Sequence, residues 1–494
     1  MSLIKIRNLT FSYYGYTEDI FKGISLSLDT NWKTGLIGRN GIGKSTLFKL
    51  LSGELEYTGE IFKDVECIRF PPRIEEDGET IDIWRSYGDD LEEWRLLKEL
   101  SLLKVDEDIL YRPFSTLSEG ERTKFLLAMM FTKEGGFLLI DEPTNHLDLH
   151  GRELVSRYLK GKDGFLLISH DRDFLDSCID HVISINRASI DIQAGNFTTW
   201  YENRQRKEQF ETKENEKLKK DIKRLKEAAK QTEVWSDKIE KSKKGSKVSG
   251  SKPDRGYIGH QAARMMKKSK NLERRQDKAI EDKEKLLRDV ERKEDLKLHC
   301  LPYRKKELMR VEELSCFYNG KKVVSDIGFE VNEGDRIAIK GGNGSGKSTL
   351  LKLILGEEIE HGGRVQLPDD LKLSYISQSA FHLRGSLRDF IMAEEVDETL
   401  CKTILRKLDF SRELFDVKLE NYSDGQKKKV LIAASLSKEA HIFVWDEPLN
   451  YIDVISRIQI EDILLKQRPT LLFVEHDRRF MEKIATKRVD LDRY

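Results

Sequence analysis

Short apolar runs that end in glycine or in acidic residues recur near both ends of the chain. The runs "KTGLIG" from Lys33 and "RIAIKG" from Arg336 each end in glycine and lead into a helical pattern. Two further runs, "GGFLLIDE" from Gly135 and "HIFVWDE" from His441, end in Asp-Glu. Continuous apolar runs of this length predict buried strands, and their alternation with helical segments predicts a parallel sheet. The pattern therefore predicts an α/β fold.

The middle of the chain shows a different pattern, in which apolar residues form only a narrow stripe. Over 201–240 the stripe has steps of four, three and four, and over 259–298 it has steps of seven: Leu218, Ile222, Leu225 and Ala229, then Leu272, Ala279 and Leu286. Stripes this thin favour two helices that pair with each other as an antiparallel hairpin. Each helix of about forty residues extends roughly 60 Å.

The two ends of the chain are copies of one another. "LIGRNGIGKSTLFKLLSGE" from Leu36 matches "IKGGNGSGKSTLLKLILGE" from Ile339, and "LLIDEPTNHLD" from Leu138 matches "FVWDEPLNYID" from Phe443. "LLISHD" matches "LFVEHD" farther along, in the same order and at a nearly constant offset. Such a repeat indicates two copies of one domain. We expect the first copy over 1–199, the helical hairpin linker over 200–300 and the second copy over 301–494.

Each copy carries a G-x-x-x-x-G-K-S loop between a predicted strand and a predicted helix. In this setting, backbone N–H groups surround phosphates, Lys44 or Lys347 reaches the β/γ oxygens, and Ser45 or Ser348 holds Mg²⁺. The sequence therefore predicts ATP and Mg²⁺ as cofactors. The predicted nucleotide-binding residues are Gly38, Asn40, Gly41, Gly43, Lys44, Ser45 and Thr46, and Gly341, Asn343, Gly344, Gly346, Lys347, Ser348 and Thr349.

The acidic strand ends predict the catalytic groups of an ATPase. Asp141 and Asp446 are placed to bind Mg²⁺, and Glu142 and Glu447 are the candidates to orient and deprotonate the attacking water. The later "SHD" and "EHD" stretches place His170 and His476 at equivalent strand ends. Because the two histidines match between the copies, we predict that they sense the γ-phosphate. A purely structural histidine is the alternative.

The formal net charge of zero conceals a basic linker. Lys+Arg and Asp+Glu each total 87, yet from Tyr201 to Cys300 there are 31 basic and 20 acidic residues. Between Lys238 and Lys270 the count is eleven to two. Charge localised at the end of a hairpin favours a polyphosphate partner, although a solvated loop that keeps a thin coiled coil soluble is the alternative. The predicted RNA-binding tip residues are Lys241, Lys243, Lys244, Lys247, Lys252, Arg255 and Tyr257.

Cysteine usage and hydropathy exclude several classes of protein. The five cysteines form no C-x-x-C pair or spaced Cys/His set, which argues against a disulfide framework or a zinc site. The N-terminus lacks the apolar core of a signal peptide. The longest apolar run, "FLLAMMF" from Phe125, falls far short of the roughly 18 to 20 residues of a membrane span. We expect a cytoplasmic protein with no membrane segment.

A further pair of loops, "LSEGE" from Leu117 and "YSDGQ" from Tyr422, lies between these motifs. With them the chain resembles the ATP-binding cassette superfamily, in which two cassettes pack head to tail around two ATP molecules. The resemblance implies a monomer whose first site joins Lys44, Ser45, Asp141, Glu142 and His170 to Ser423, Gly425 and Gln426. It implies a second site that joins Lys347, Ser348, Gln378, Asp446, Glu447 and His476 to Ser118, Gly120 and Glu121, with Gln378 as a metal ligand. It also implies Tyr13 and Tyr318 as adenine-stacking residues, with core packing as the alternative.

The arrangement of two cassettes around a charged linker resembles the ABC-F group, many of whose members act on ribosomes. "DEPLNYID" and the linker's "GYIGHQAARMMKKSKN" resemble its Lsa-type branch, which protects bacterial ribosomes from lincosamides, streptogramin A and pleuromutilins. The resemblance implies that the basic tip enters between ribosomal subunits and meets rRNA near the exit site and the P-site tRNA. A housekeeping translation factor, a transporter ATPase subunit and a DNA-repair ATPase are the alternatives.

The two sites are not expected to be equal. Alignment of "FPPR" with "YISQ" places Arg73 opposite Gln378, or the neighbouring Pro72 if the register slips by one, and neither side chain can ligate a metal. Glu119 and Asp424 also stand where the signature loop of the superfamily usually has its first glycine. We therefore predict that the first site handles Mg²⁺ or water less well than the second.

Overall fold

A computed structural model describes most of the 494-residue chain. It describes residues 2–13, 19–74, 78–88, 92–133, 135–145, 147–186, 190–242, 267, 300–318, 321–342 and 344–493, without the side chains of 225, 226, 228–242, 318, 321 and 493. The chain divides into two compact units, one formed by 1–200 with 296–494 and the other by 201–295. Both sequence copies thus belong to one unit. The predicted domain boundaries stay a prediction.

The first copy is built on a six-stranded and a three-stranded sheet. Its strands are β1 (Leu3–Phe11), β2 (Phe21–Asp29), β3 (Lys33–Ile37), β4 (Thr58–Phe62), β5 (Glu66–Phe70), β6 (Gly136–Asp141), β7 (Phe165–Ile168), β8 (His181–Ile185) and β9 (Ile190–Ala194). The large sheet has the order β5-β6-β7-β3-β8-β9 and is parallel apart from the β8–β9 pair. The small sheet, β2-β1-β4, is antiparallel.

The second copy repeats this plan with one strand fewer in the large sheet. Its strands are β10 (Glu307–Tyr318), β11 (Lys321–Asn332), β12 (Arg336–Lys340), β13 (His361–Gln366), β14 (Leu373–Ile376), β15 (Ile442–Asp446), β16 (Leu471–Val474) and β17 (Lys487–Asp490). The large sheet, β14-β15-β16-β12-β17, is parallel throughout. The small sheet is β11-β10-β13. The predicted α/β fold of two tandem domains is confirmed.

Helices cover the large sheets and connect their parallel strands. Those of the first copy are α1 (Lys44–Ser52), α2 (Thr80–Ser86), α3 (Glu93–Leu102), α4 (Glu119–Phe131), α5 (Leu149–Lys160) and α6 (Arg172–Cys178). Those of the second copy are α8 (Lys347–Ile354), α9 (Leu387–Ala393), α10 (Glu398–Lys407), α11 (Asp424–Ser437), α12 (Val454–Gln467) and α13 (Arg478–Ile484). Short 3-10 helices span Glu107–Tyr111, Phe114–Thr116, Arg412–Asp416, Leu419–Asn421 and Leu491–Arg493.

The order of the central strands explains where the predicted motifs meet. In each large sheet, one strand lies between the strand that precedes the phosphate-binding loop and the strand that ends in Asp-Glu. In the parallel register, Asp141 pairs with Ile168 and Asp446 pairs with Val474, all at the carboxyl ends of their strands. Strands in this position are buried on both faces, which is why they appear as continuous apolar runs. The loops that follow them meet at one edge of each sheet.

The first arm of the predicted hairpin is a single helix, α7 (Phe197–Ser242). Its 46 residues correspond to a length of about 70 Å at 1.5 Å per residue. The predicted second arm and the basic tip from Lys243 onward lie outside the described residues, except for Lys267. Within the described part of the chain, no helix combines the length and the apolar character needed to cross a membrane.

Candidate functional site

The first phosphate-binding loop connects β3 to α1 and has the backbone shape of an anion cradle. Gly43 has a φ of +102°, and a Cβ there would lie 2.6 Å from the Cγ2 atom of Ile20, so only glycine fits. The buried Lys44 side chain donates hydrogen bonds from Nζ to the carbonyls of Gly38 (2.8 Å) and Arg39 (3.1 Å). The ammonium group therefore lies over the loop, where it can meet phosphate oxygens.

The second loop, between β12 and α8, has the same construction. Gly346 has a φ of +86°, and a Cβ there would lie 2.5 Å from a side-chain carbon of Val324. Lys347 Nζ donates to the carbonyls of Gly341 (3.0 Å) and Gly342 (2.7 Å). Gly344, Ser348 and Thr349 follow the same positions as in the first loop, whereas Asn343 lies outside the described residues. Local sequence thus accounts for both loops.

The predicted metal-binding residues meet in both copies. The side chain of Ser45 hydrogen-bonds Asp141, and that of Ser348 hydrogen-bonds Asp446. Burial raises the pKa of both aspartates, because a carboxylate loses its hydration there. Oδ1 of Asp446 is buried and accepts no hydrogen bond from the described residues. A hydroxyl beside a buried carboxylate is a donor set that fits Mg²⁺, which would neutralise the acid.

Each predicted general base lies in a strained conformation just beyond its strand. Glu142 and Glu447 have φ values of +48° and +45°, in the left-handed region that costs a non-glycine residue on the order of 1–3 kcal/mol. Their backbone N–H groups donate to the carbonyls of Ile168 (2.9 Å) and Val474 (3.0 Å) on the adjacent strand. These hydrogen bonds hold the turn and direct each carboxylate toward the strand end that bears the histidine.

Each glutamate faces the predicted histidine of its own copy. Nε2 of His170 lies 3.3 Å from Oε1 of Glu142, and Nε2 of His476 lies 3.3 Å from Oε1 of Glu447. Burial and the charge of Lys44 hold the pKa of His170 well below its ordinary value. The predicted glutamate and histidine therefore lie together in both copies. A hydrogen bond between the two side chains joins them only in the second copy, because Oε1 of Glu142 is buried and has no hydrogen-bond partner among the described residues.

The surroundings of the two glutamates differ. The amides of Gln378 and Asn450 donate to Oε2 of Glu447 at 3.0 and 2.7 Å. Burial acts to raise the pKa of Glu447, but the hydrogen bond and charge of His476 and these two amides outweigh burial and lower the pKa to about 2. Burial and the adjacent aspartate instead raise the pKa of Glu142 to about 7. The contact of Asn450 with the glutamate was not predicted from the sequence.

Arg73 does not occupy the position that Gln378 has in the second copy. Its guanidinium donates to Oε2 of Glu54 at 2.8 Å, and the side chain is 88% exposed. The cation therefore lies at the surface, where Glu54 also contacts Arg69. Consequently, Arg73 supplies Glu142 with no counterpart of the glutamine amide.

The two signature loops begin helices α4 and α11 with identical capping boxes. Ser118 accepts from the backbone N–H of Glu121, whose carboxylate accepts from the N–H of Ser118 at 2.9 Å. Ser423 and Gln426 exchange the same two hydrogen bonds. The S-x-x-E/Q spacing is visible in the sequence as a helix start. These four predicted nucleotide-binding side chains thus also fix the helix N-termini, which favour anions.

The first phosphate-binding loop contacts the second signature loop directly. Asn40 Nδ2 donates to the carbonyl of Tyr451 at 2.7 Å, and its backbone N–H donates to Asp453 Oδ2 at 3.4 Å. A Cβ at Gly425 would lie 2.4 Å from Asn40 Nδ2 and 2.5 Å from the Tyr451 carbonyl. We call this arrangement, with Lys44 and Glu142, the first site. The loop around Tyr451 and Asp453 was not predicted, although it follows "DEP" directly.

The second site comprises Lys347, Glu447 and their neighbours. The carboxylate of Asp148, from the first copy, also acts on this site. Burial lowers the pKa of Lys347, while Glu447 and, more weakly, Asp148 of the first copy act to raise it. Asp148 and Asp453 are equivalent positions of the repeat, and Asp453 acts on Lys44 in the same sense. Each lysine is thus influenced by an aspartate from the opposite copy.

Ion pairs, of which those of Arg172 are buried and those of Arg479 are half-exposed, also join the two copies outside the phosphate-binding loops. Arg172 of the first copy donates from Nη2 to Glu461 Oε1 (2.5 Å) and Asp477 Oδ1 (3.3 Å) of the second. Arg479 of the second copy donates to Asp173 (2.5 Å) and also contacts Asp176. These pairs hold the copies together through side chains that the sequence analysis did not select.

The aromatic and linker predictions are only partly within the described residues. The Tyr13 hydroxyl lies 3.3 Å from Thr46 Oγ1, and its ring packs edge-on against Phe11 at 5.0 Å. Tyr13 therefore lies beside the phosphate-binding loop, and its adenine-stacking role stays a prediction. The side chain of Tyr318 is not described. The same holds for the predicted RNA-binding residues Lys241, Lys243, Lys244, Lys247, Lys252, Arg255 and Tyr257.

Comparison with known proteins identifies both copies. The family described as "ABC transporter" matches residues 21–145 and again residues 324–450. The ribosome protection protein VmlR of Bacillus subtilis is 28% identical over 486 residues, which cover 97% of this chain and 85% of that protein. The ATP-binding protein Uup of Caulobacter vibrioides is 28% identical over 497 residues, covering 96% of this chain and 75% of that protein. The putative ATP-binding protein YdiF of Bacillus subtilis is 26% identical over 548 residues, covering 99% and 80%.

Solved structures share the fold at low sequence identity. The RNase-L inhibitor superposes with a TM-score of 0.63 at 19% identity and covers 98% of this chain and 87% of its own. The archaeal ribosome recycling factor aABCE1, solved with the stalk protein aP1, gives a TM-score of 0.62 at 19% identity. The match covers 95% of this chain and 84% of that chain. These similarities support the tandem two-domain fold.

Proposed function

This chain belongs to the ATP-binding cassette family and is an ATPase of its ABC-F group, and we propose that it uses ATP to protect bacterial ribosomes from antibiotics. The observation that carries the proposal is the similarity to VmlR over 97% of this chain, and the name of VmlR describes a ribosome protection protein. The protected drugs would be those that act near the peptidyl-transferase region, namely lincosamides, streptogramin A and pleuromutilins. The basic linker, which lies between two nucleotide-binding copies, supports a polyanionic partner.

We assign the chemistry of each site to the glutamate that follows the acidic strand. Glu142 and Glu447 would orient and deprotonate the attacking water, and His170 and His476 would contact the γ-phosphate. Their proximity within each copy supports this assignment. The lysine of each phosphate-binding loop would bind the β/γ oxygens, which it can reach from its position over the loop.

Mg²⁺ would be held by the serine and aspartate pairs Ser45–Asp141 and Ser348–Asp446. When bound, the ion would neutralise charge on the β/γ oxygens of ATP. In the second site Gln378 would contribute a further ligand through its side-chain oxygen, because its amide nitrogen already donates to Glu447. The absence of an equivalent group at Arg73 supports the proposal that the two sites hydrolyse ATP at different rates.

The proposed effector is the predicted basic tip of the linker. ATP bound between the copies would stabilise the closed arrangement in which Asn40 meets Gly425 and Tyr451. In this form the tip would enter between ribosomal subunits and contact rRNA near the exit site and the P-site tRNA. Hydrolysis would then permit release. The charge of the tip makes its binding salt-dependent, because phosphate contacts release counterions.

Drug susceptibility of a sensitive bacterium that expresses this chain tests the proposal. The wild type is compared with the Glu142→Gln/Glu447→Gln variant, which we expect to bind ATP, to stop hydrolysing it and to remain on ribosomes. Resistance that is present in the wild type and lost in the variant would support ATP-driven protection. Unchanged susceptibility, together with ribosome binding and toxicity of the variant, would instead support a housekeeping translation factor.

The linker is tested by charge removal with a matched control. In the test variant, glutamine replaces five tip residues, Lys243, Lys244, Lys247, Lys252 and Arg255. In the control, it replaces five exposed lysines of α7, Lys207, Lys213, Lys217, Lys219 and Lys220. We expect the tip variant to keep its ATPase activity and lose protection, and the control to keep both. Equal protection by both variants would assign the tip to a solvated connector.

A further inference from the structure

Lys428 is a buried lysine that connects three parts of the second copy. It lies on α11, the helix that begins at the signature loop, and it is 1% exposed. Its Nζ atom donates to the carbonyls of Ser377 (2.9 Å) and Glu447 (3.1 Å). Ser377 immediately precedes Gln378, whose amide donates to the Glu447 carboxylate at 3.0 Å. One ammonium group therefore holds both the backbone of the proposed base and the loop that carries one of its hydrogen-bond donors.

A second buried group, Glu475, acts on the charge of Lys428. Burial lowers the pKa of Lys428 to about 8, and Glu475 is the opposite charge that acts on it most strongly. Glu475 accepts from the backbone N–H groups of Leu449 (2.7 Å) and His476 (3.0 Å). Lys428 and Glu475 thus hold backbone groups of the turn at Glu447. Buried ionisable groups seldom add net stability, so stability alone is a weak reason for this arrangement.

The first copy has the same fold without this pair. Thr123 and Ser169 occupy the positions equivalent to Lys428 and Glu475. Thr123 donates to Glu119 O of its own helix at 2.9 Å, and Ser169 lies 3.2 Å from the Thr144 hydroxyl. A threonine is too short to reach the turn that Lys428 reaches. The charged pair is therefore a feature of the second copy and is not required to form this type of domain.

The first turn of α11 belongs to the first site. Gly425, in its first turn, packs against Asn40 and the carbonyl of Tyr451. Lys428 follows Gly425 by three residues, so less than one helical turn separates the two contacts. Any displacement of the signature loop relative to the first phosphate-binding loop must displace Lys428 as well, because a helix of 14 residues moves as a rigid element over so short a distance.

We propose that Lys428 is a positioning residue that couples the two sites. When the second signature loop contacts the first phosphate-binding loop at the first site, Lys428 transmits this contact to Glu447 and Gln378 at the second site. The first copy has no equivalent connection between its signature loop and Glu142, since Thr123 donates to Glu119 of its own helix. Hydrolysis at the second site therefore depends on closure of the first. The inference rests on the proposed role of Glu447 as the general base of the second site.

The test uses the full-length chain in two backgrounds. With Glu142→Gln, turnover reports the second site, and with Glu447→Gln it reports the first. We expect Lys428→Met to lower kcat of the second site on the order of tenfold or more, with KM for ATP unchanged, because the lysine contacts no nucleotide-binding residue of that site. The first site should lose much less activity. Thr123→Val is the matched substitution in the first copy and should leave both turnover rates unchanged.

A variant that removes both charges guards against misfolding. Lys428→Met removes one buried charge and keeps Glu475, whereas Lys428→Met/Glu475→Gln removes both buried ionisable groups and leaves the net charge unchanged. The double variant should fold and show the same loss of kcat, and Glu475→Gln alone should lose less. Full second-site turnover in a folded double variant would overturn the proposal.

Coupling itself is measured by a double-mutant cycle with Asn40. In the Glu142→Gln background, Asn40→Ala should lower second-site kcat when Lys428 is present and have little further effect in Lys428→Met. Additive losses would show that Lys428 does not transmit the contact. If the Glu142→Gln/Glu447→Gln variant still hydrolyses ATP, the proposed base role of the glutamates fails. If that variant is inactive but the losses from Asn40→Ala and Lys428→Met are additive, only the coupling is rejected.

Discussion

Gly425 is the position at which a single methyl group tests the contact between the two copies. It lies in the first turn of α11, a helical position where alanine is intrinsically favoured over glycine by roughly 0.5–1 kcal/mol. A loss of activity in Gly425→Ala would therefore come from the groups that the added methyl meets and not from a weakened helix. The added Cβ would lie 2.4 Å from Asn40 Nδ2 and 2.5 Å from the Tyr451 carbonyl.

The size of the effect follows from these two distances. Ordinary van der Waals contacts of a Cβ are 3.4–4 Å, so the signature loop must move by about 1 Å relative to the Tyr451 carbonyl of its own copy, to which Asn40 of the first copy donates. The Asn40 amide can rotate, but Tyr451 presents a backbone carbonyl and cannot move alone. A displacement of about 1 Å in a catalytic arrangement costs roughly 100-fold in rate. We expect Gly425→Ala to lower hydrolysis at the first site by about that factor.

Single-turnover ATP hydrolysis in the Glu447→Gln background measures this loss at the first site. The matched control is Gly362→Ala, because a Cβ at Gly362 meets no atom within 4 Å. Thermal unfolding checks that both variants fold. Full first-site turnover in a folded Gly425→Ala variant would refute the conclusion that this contact belongs to a catalytic arrangement.

The interface between the copies yields two further predictions. Arg172→Met should lower the free energy of unfolding by about 3 kcal/mol, because it removes a cation from Glu461 and Asp477. This value is in the lower part of the range for breaking a buried ion pair, since Arg457 still contacts Asp477. The exposed control Arg478→Met should change the free energy of unfolding by less than about 0.5 kcal/mol, and equal urea midpoints of the two variants would contradict this account. Burial opposes ionisation of Asp477, yet the charges of Arg172 and Arg457 lower its pKa in the folded chain below the ordinary value of about 3.9. The ionised Asp477 therefore contributes its full stabilisation above about pH 3.9, and this contribution is lost as the pH falls through the folded pKa. Urea midpoints should accordingly fall more steeply with acidification in the wild type than in Asp477→Asn, and parallel slopes would contradict the assignment.

Local sequence was sufficient to predict the duplicated α/β fold, the two phosphate-binding loops and the strand-terminal acids. These features depend on neighbours in the chain: an apolar run forms a buried strand, and glycine permits the positive φ of the loop that follows. The pairing of Glu142 with His170, and of Glu447 with His476, was predictable because parallel strands bring their carboxyl ends to one edge.

The tertiary structure decided which groups surround each glutamate and which residues join the copies. Asn450 and Lys428 contact Glu447 through side chains whose direction depends on packing, and Arg73 pairs with Glu54 instead of facing the first site. Opposite pKa directions for Glu142 and Glu447 follow from these contacts, although the local motifs are nearly identical. The physical reason is that burial and hydrogen bonding depend on residues distant in sequence, whereas the backbone conformation of a loop depends mainly on its own residues.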